Sequence, residues 1–230
     1  MNEQQQRKKR SEQILTEKGI AVNEWLPCAE TEEECSLRSL DAVCRRAVAA
    51  LISVQVAFEL SAEDIDPENV RFCIELFDKF GVKDCLNRTE SAVVGFGESV
   101  LSSEEADVPE QEIVNVVWEY ECYWALVWAL GLVDDITEAD DICDCQTAVD
   151  LVSSCESLDE FKAKCSLRSK GEILDMLDLY YRYHWAVVEK RLRPDTETGD
   201  LNGEVVYERR RGLEWLTSDE NDWHDISLDT

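Results

Sequence analysis

Basic residues are scarce in this chain. Its 230 residues include 23 Lys and Arg against 51 Asp and Glu, and the formal net charge is −28. Proteins bind nucleic acid and anionic membrane surfaces by neutralising phosphates with Lys and Arg, so this balance argues against nucleic acid and excludes such membranes as partners. No apolar run reaches the roughly 18 to 20 residues that span a bilayer, and we therefore expect a soluble protein.

The apolar core of a signal peptide is also missing. The first residues, Met1 to Arg10, end in a basic cluster, but polar residues follow where a secretory signal would be apolar. We therefore expect a cytoplasmic protein. In that compartment its ten Cys are expected to be reduced and mostly buried.

The motifs of common metal and phosphate sites are missing as well. Cys143 and Cys145 form a close pair, whereas a zinc site needs a second pair of Cys or His at ligand spacing. The acid-rich stretch 134–144 lacks the glycine and the alternating ligands of a calcium loop. Gly95 and Gly97 lack the third glycine and the lysine of a phosphate-binding loop. We predict no metal and no cofactor.

The chain does contain long stretches in which apolar residues recur at helical spacing. The pentapeptide Cys-Ser-Leu-Arg-Ser occurs twice, and its last residue, Ser39 or Ser169, precedes a long stretch with apolar residues at helical spacing. Serine is a preferred helix N-cap, so we predict that Ser39 and Ser169 cap helices. An alternation of period two does not persist anywhere, and the predicted fold class is therefore all-α.

The chain is predicted to form one domain over residues 1–230, because no linker rich in Pro, Gly or Ser divides it. Residues 1–18 are expected to form an N-terminal helix, 39–193 the core helices, and 203–230 a C-terminal helix with an acidic tail. The stretch 86–103 fits either a helix or a short strand.

Two long helices are expected to be central. One opens at Pro109 and ends at Gly131, and the other runs from Ser169 to about Arg193. Together with the helix that follows Ser39, they are the most apolar in the chain, so we expect their large aromatic residues to share one core. These residues are Phe58, Trp124, Trp128 and Trp185.

Glu121 places a carboxylate on the apolar face of the Pro109–Gly131 helix. An acid in that position must find a partner or stay protonated. The favoured interpretation is an ion pair with an arginine of a neighbouring helix, Arg182 or Arg209. The alternative is a general acid or base, or a ligand-binding group, and Glu119, on another face of the same helix, is a second candidate for this role.

His184 lies at the border of the apolar stripe on the second long helix, and the chain has one other histidine, His224. A structural role is favoured over a catalytic one, because no Ser or Cys lies in a recognisable nucleophile motif. Asp178 precedes Arg182 by one helical turn, which is the favourable order for an ion pair on a helix surface.

The turn Glu208-Arg209-Arg210-Arg211 is strongly basic in an acidic chain. Arginine can bind anionic ligands, so Arg182, Arg209 and Arg210 are candidate ligand contacts. Internal ion pairing is the favoured role, because 51 acids are available as partners.

Short aromatic and charged motifs extend along nearly the whole chain and are densest after Arg168. They are Leu37-Arg38-Ser39, Trp118-Glu119-Tyr120-Glu121, Trp128-Ala129-Leu130-Gly131, Leu167-Arg168-Ser169, Glu172-Ile173-Leu174-Asp175, Tyr181-Arg182-Tyr183-His184-Trp185-Ala186, Glu208-Arg209, Leu213, Trp215-Leu216 and Trp223 to Thr230. As an ordered set they resemble the domain-of-unknown-function family 4272. The resemblance implies a single, mostly helical, cytoplasmic domain, and it brings no activity and no functional residues. The chain departs from the family pattern at Arg210, where the pattern has a histidine, and at His224, where it has an aspartate.

Two functions fit these features. The first is an interaction or regulatory module, because an acidic helical surface suits a basic protein partner through electrostatic steering. The second is an enzyme or small-molecule-binding protein with a pocket between the two long helices. Its candidate residues are Glu119, Glu121, His184, Arg182 and Arg209. The absence of a catalytic motif favours the first function, and the deciding geometry is whether Glu121 and His184 face one open pocket or are paired and enclosed.

Overall fold

The computed structural model describes residues 2–103 and 107–230, and within these ranges it is built from α-helices without β-strands. The helices are α1 Glu3–Glu17, α2 Leu40–Leu60, α3 Pro67–Phe80, α4 Arg88–Ser102, α5 Glu110–Ala129, α6 Cys145–Ser153, α7 Leu158–Lys164, α8 Lys170–Leu192 and α9 Gly203–Thr217. Short 3₁₀ turns occur at Lys83–Cys85 and Trp223–Asp225. The predicted all-α fold class is confirmed. Among the described helices, none combines the length and the apolar character needed to cross a bilayer.

Side-chain caps fix the starts of the long helices. The Ser39 hydroxyl accepts from the Ala42 N–H at 3.2 Å and begins α2. The Ser169 hydroxyl accepts from the Glu172 N–H at 3.3 Å, and the Glu172 carboxylate accepts from the Ser169 N–H at 3.0 Å. Both serines are therefore helix N-caps, as the repeated pentapeptide predicts.

The stretch 86–103, which fits a helix or a strand from its sequence, is helix α4. Asn87 and Glu90 form a capping box at its start, with the Asn87 side chain bonded to the Glu90 N–H at 2.7 Å and the Glu90 carboxylate to the Asn87 N–H at 2.8 Å. This separation of three residues is that of a capping box, and it indicates the start of a helix from the sequence alone.

The repeated pentapeptide makes the same contacts in both places. The Arg38 Nε donates to the carbonyl of Trp215 at 2.7 Å, and the Arg38 guanidinium lies 4.0 Å from the centroid of that indole. The Arg168 Nε donates to the carbonyl of Trp128 at 2.9 Å, and its guanidinium lies 4.8 Å from that indole. Each pentapeptide thus joins the end of one helix, α9 or α5, to the start of another, α2 or α8.

Helices α5 and α9, which carry these tryptophans near their C-terminal ends, cross at small residues. A Cβ atom on Gly212 of α9 would lie 2.7 Å from the Cys122 carbonyl oxygen and 3.1 Å from the Ala125 Cβ of α5. Gly212 therefore permits the close approach of α5 and α9. The order of the packed helices is α2, α5, α9 and α8, because α5 contacts α2 and α9 while α9 also contacts α8.

The expected aromatic core is correct in part. Trp124 and Trp128 are buried, Trp185 is half-buried, and Phe58 is 45% exposed, so the placement of Phe58 in the core was wrong. Its ring packs edge-on against Tyr120 at the outer side of α2, with 5.9 Å between the centroids. Apolar residues occur on both faces of α2 between Ala47 and Phe58, and their periodicity therefore does not distinguish the outer side from the inner one.

Candidate functional site

Glu121 is enclosed and paired. Its carboxylate accepts from the Arg209 Nε at 2.7 Å and from the backbone N–H of Cys143 at 2.7 Å, and its side chain is 2% exposed. The Arg209 guanidinium also donates to the hydroxyl of Tyr180 at 3.3 Å and to the carbonyl of Glu138 at 2.6 Å. The predicted ion pair of Glu121 with an arginine is confirmed, with Arg209 as the partner. Through the bonds to Cys143 and Glu138, the pair connects the loop before α6 with α5 and α9.

His184 contacts a different arginine. The His184 Nδ1 lies 2.6 Å from the Arg210 Nη1. Because a guanidinium only donates, Nδ1 must be the acceptor, and the ring proton is assigned to Nε2. Burial, with a smaller contribution from the Arg210 charge, lowers the pKa of His184 to about 4. The ring is therefore neutral near pH 7 and acts as a hydrogen-bond acceptor for Arg210.

Arg210 in turn holds the end of the chain. Its Nη1 and Nη2 donate to the carbonyls of Leu228 at 3.0 Å and Asp229 at 3.1 Å, and its Nε donates to the Glu214 carboxylate at 3.2 Å. The guanidinium is thus fully engaged with protein groups. This arrangement makes Arg210 and His184 an anchor for the C-terminal segment.

Arg182 pairs with Asp178, but the pair is buried. The Arg182 Nη2 lies 2.8 Å from the Asp178 carboxylate, and both side chains are at most 1% exposed. The expectation of a surface pair was wrong, because the segment after α1 covers this side of α8: the Arg182 Nη2 also donates to the carbonyl of Pro27 at 3.1 Å. The α8 sequence alone does not show that a preceding loop lies on it.

The pocket expected between the two long helices is not formed. Helix α9 packs between α5 and α8 and separates Glu121 from His184. Glu121 of α5 bonds Arg209, and His184 of α8 bonds Arg210; both arginines belong to α9. Glu121 and His184 are therefore paired and enclosed in separate places, and they do not face one open pocket.

Glu119 belongs to a second buried cluster, which connects α2, α4, α5 and the C-terminal 3₁₀ turn. The Glu119 carboxylate accepts from the Asn87 Nδ2 at 3.1 Å and lies 2.7 Å from the His224 Nε2. Arg46 of α2 lies 2.5 Å from the Glu90 carboxylate and 3.9 Å from that of Glu119. The cluster thus places two buried glutamates against one arginine and one histidine.

The charges of this cluster do not balance if both acids ionise. Burial, opposed by the Arg46 charge, raises the pKa of Glu90 to about 8 and that of Glu119 to about 7. The two acids therefore retain a proton between them near neutral pH. Burial also lowers the pKa of His224, so its neutral ring can donate to Glu119 from Nε2.

Trp223 covers one side of the cluster. This indole is 1% exposed and lies over the Arg46 guanidinium, 3.9 Å from its Cζ. Glu90 and Glu119 are both fully buried. The cluster can share a proton internally. Its two carboxylates do not reach solvent, whereas Arg46 and Asn87 also line an open cavity of about 610 Å³. Of the members of the cluster, only Glu119 was a candidate from the sequence.

The described residues contain no group of three or more His, Cys, Asp or Glu side chains placed to hold a metal ion. Cys143 is buried beside the Glu121 carboxylate, and burial, followed by that negative charge, raises the pKa of its thiol. Such a thiol is protonated near neutral pH and is a poor metal ligand.

An open apolar groove lies on the opposite side of α2 from the buried clusters. It has a volume of about 320 Å³ and runs between α2, α3 and α6. Its apolar lining includes Leu51, Ile52, Phe72, Cys73, Leu76 and Val152. Phe72 is 64% exposed at this groove. A large exposed aromatic side chain beside an apolar groove is typical of a protein-binding surface.

Comparison with known proteins identifies a family but no characterised relative. The curated proteins and the solved structures gave no match to the chain. A family model matches residues 7–226 of the 230, almost the whole sequence. The chain therefore belongs to the family described as a domain of unknown function, DUF4272.

Proposed function

We propose that this protein is a cytoplasmic interaction module that binds a basic amphipathic helix of a protein partner in the groove between α2, α3 and α6. The observation that carries the proposal is the exposed ring of Phe72 at an apolar groove with acidic surroundings. Helix-binding grooves bury the apolar face of their ligand and use charged surroundings to select it.

The groove has the size and composition for such a ligand. Its α3 side presents Phe72, Cys73 and Leu76, which recur at helical spacing. Its floor on α2 extends from Leu51 to Glu59, about 12 Å at 1.5 Å per residue. This length accommodates about two turns of a helix.

The charge of the groove region favours a basic ligand. Residues 59–80 contain seven acids and two bases, and residues 144–160 contain five acids and no base. Lys79, one of the two bases, is paired with Glu156 at 3.1 Å. A cationic helix would therefore be attracted toward the groove and held at its rim.

The enclosed state of the candidate residues supports this function over the enzyme alternative. Glu121 and His184 are paired in separate places, and Glu119 is covered by the C-terminal turn. The ten cysteines support a reducing compartment, because all of them are free thiols and six are buried. Free thiols in that number are typical of cytoplasmic proteins.

The experiment is a calorimetric titration with a synthetic 18-residue helix that carries Lys on one face and Leu on the other. A peptide of the same composition, scrambled so that the two faces are lost, controls for charge alone. The amphipathic peptide should bind more tightly than the scrambled one. Replacement of Phe72 by Ala should weaken binding about tenfold, or about 1.4 kcal/mol, because exposed aromatic anchors dominate such interfaces.

Leu192 provides a matched control for Phe72. It is 74% exposed on α8, away from the groove, and Leu192→Ala should leave the affinity unchanged. Both variants should keep the melting temperature, since neither side chain is buried. Equal binding of the amphipathic and scrambled peptides, or equal affinity of the Phe72→Ala variant and the native protein, would refute the proposal.

A further inference from the structure

Trp25 is a tryptophan in solvent. Its side chain is 93% exposed, whereas Trp124, Trp128 and Trp223 are buried. Exposing an indole forgoes a large hydrophobic gain, since burying an aromatic side chain is worth roughly 1.5 to 3 kcal/mol. A single exposed apolar side chain is common on protein surfaces, so the residues around Trp25 decide whether it belongs to a site.

The turn that carries Trp25 is rigidly held. The Asn23 side chain accepts from the Trp25 N–H at 3.0 Å, and the Asn23 carbonyl accepts from the Leu26 N–H at 3.2 Å. Leu26 is buried, and Lys8 of α1 donates to its carbonyl at 2.7 Å. Trp25 is therefore displayed by a fixed turn, and little backbone order would be lost when a ligand contacts it.

Trp25 lines a cleft with a second tryptophan. The cleft has a volume of about 800 Å³ and lies between the Trp25 turn and the end of α8, which contributes the half-buried Trp185. The two walls are joined at the base, where the Ala21 N–H donates to the Glu197 carbonyl at 2.8 Å. A bridge between Ile20 and Thr198 adds to this joint.

The charges of the cleft are mainly negative. Its acidic lining consists of Glu24, Glu189, Asp195 and Glu197. Arg193 is the single basic residue among the described lining residues, and it pairs with Glu189 at 2.8 Å while remaining 80% exposed. Three carboxylates of the lining thus lack a cation from within the same cleft.

We propose that this cleft binds an organic ammonium ion between Trp25 and Trp185. Indole faces attract cations through the ring quadrupole, and nearby carboxylates add a Coulomb attraction. An inorganic cation gains less from the rings, because it keeps its water shell. The ammonium ion could be a free small molecule or a methylated lysine of a protein, and both sources share this chemistry.

Arg193 acts as an internal competitor in this site. Its guanidinium neutralises Glu189, a carboxylate that an incoming ammonium ion would otherwise meet. Loss of the Arg193 charge should therefore strengthen binding. The site does not depend on the groove between α2, α3 and α6, because the two surfaces share no lining residue.

The test is a titration of the ¹⁵N-labelled protein with tetramethylammonium chloride, followed through the indole N–H signals of Trp25 and Trp185. Both signals should shift and saturate, whereas sodium chloride at the same ionic strength should not shift them. Trp25→Ala should weaken binding about fivefold, the size of an exposed cation–π contact. Because Trp25 is in solvent, this variant should fold normally.

Arg193 and Arg191 give a matched pair of variants. Arg193→Gln should tighten binding about twofold or more, as expected for release of an exposed ion pair. Arg191→Gln removes the same charge two residues earlier in the chain, in the last turn of α8. Arg191 lies outside the cleft and faces Glu204 at 3.5 Å, so this variant should leave the affinity unchanged.

A second ligand identifies the source of the cation. If an acetylated trimethyllysine amide binds more tightly than tetramethylammonium, the site serves a protein side chain; if it binds more weakly, the site serves a free ammonium compound. Either order supports the cleft. Shifts that do not saturate, equal shifts with sodium, or an unchanged affinity in Trp25→Ala would each overturn the proposal, whatever the outcome for the helix-binding groove.

Discussion

The indole of Trp223 lies over the guanidinium of Arg46, with 3.9 Å between the Arg46 Cζ and the ring centroid. Arg46 in turn faces the buried carboxylates of Glu90 and Glu119. The C-terminal turn therefore covers one side of this charged cluster. It connects the last part of the chain with helices near its beginning and middle.

Replacement of Trp223 by Ala should strongly destabilise the protein. The substitution removes a fully buried ring and uncovers the Arg46 cluster, and a cost of about 3 to 5 kcal/mol in the free energy of unfolding is expected. Urea denaturation measures this value. Trp25→Ala is the control, because Trp25 is 93% exposed and its loss should change stability by less than about 0.5 kcal/mol. Equal effects of the two substitutions would contradict the covering role of Trp223.

The raised pKa values of Glu90 and Glu119 predict that the protein loses stability as the pH rises above neutral. Burial raises the pKa of Glu90 to about 8 and that of Glu119 to about 7, whereas both titrate near 4.3 in an unfolded chain. Their stabilising contribution is complete below the unfolded value and is lost as the pH rises through the two folded values. The free energy of unfolding should therefore fall between about pH 6.5 and 8.5.

Glu119→Gln should flatten this pH dependence, because glutamine keeps the shape of the side chain without titrating. Glu75→Gln, at an exposed position of α3, should leave it unchanged. The lowered pKa values of His184 and His224 act in the opposite direction, mainly below about pH 6.5, so they oppose the fall only at the start of this window. A stability that stays constant or rises from about pH 6.5 to 8.5 would show that the two acids do not share a proton.

Glu121→Gln should destabilise the protein by about 3 to 5 kcal/mol, because it leaves the buried Arg209 without a counter-charge. Glu110→Gln is the control on the same helix, since Glu110 is exposed. Thermal and urea unfolding of both variants measure the difference. An unchanged or raised melting temperature in Glu121→Gln would indicate a functional carboxylate that is kept at a cost in stability.

The pairing of Glu121 with an arginine could be predicted from the sequence, because it follows from the position of Glu121 on one helix face. A carboxylate on the face of Val117, Trp124 and Trp128 must have a partner, and the basic turn of α9 offered one. The choice between Arg182 and Arg209 as its partner could not be predicted in this way. It depends on the packing order of α5, α9 and α8, which hydrophobic periodicity does not encode.

The Glu119 cluster could not be predicted in the same way, since its members come from four separate segments. Arg46 lies in a helix that is apolar on nearly every side, and Glu90 lies in the stretch where the helical signal is weak. The capping-box spacing of Asn87 and Glu90 was visible, but it predicts a helix start and not a buried acid. Only the tertiary packing shows that the His224 turn folds back onto α5.

Arg38 and Arg168 occupy equivalent positions in the two copies of the pentapeptide. Arg38 and Arg168 each bond a tryptophan carbonyl through Nε and lie over the ring of that same tryptophan, Trp215 or Trp128. Lysine keeps the charge but lacks both the planar fork and the stacking surface. Arg38→Lys and Arg168→Lys should therefore each lower the free energy of unfolding by about 1 to 3 kcal/mol.

The two lysine substitutions should have similar costs, because both remove the Nε bond to a tryptophan carbonyl and the stacking on that indole. Arg168→Lys should cost somewhat more, since Arg168 also donates to the carbonyls of Val133 and Asp134, whereas Arg38 donates to that of Glu220. Arg88→Lys is the control: this side chain is 75% exposed with a single ion pair at 3.5 Å, and its replacement should be almost neutral. Urea denaturation of the three variants and of the Arg38→Lys, Arg168→Lys double variant measures these values. The two sites share no partner residue, so their effects should add within about 0.5 kcal/mol. If only one of the two substitutions is costly, the shared pentapeptide would be a similarity of sequence without a shared structural role.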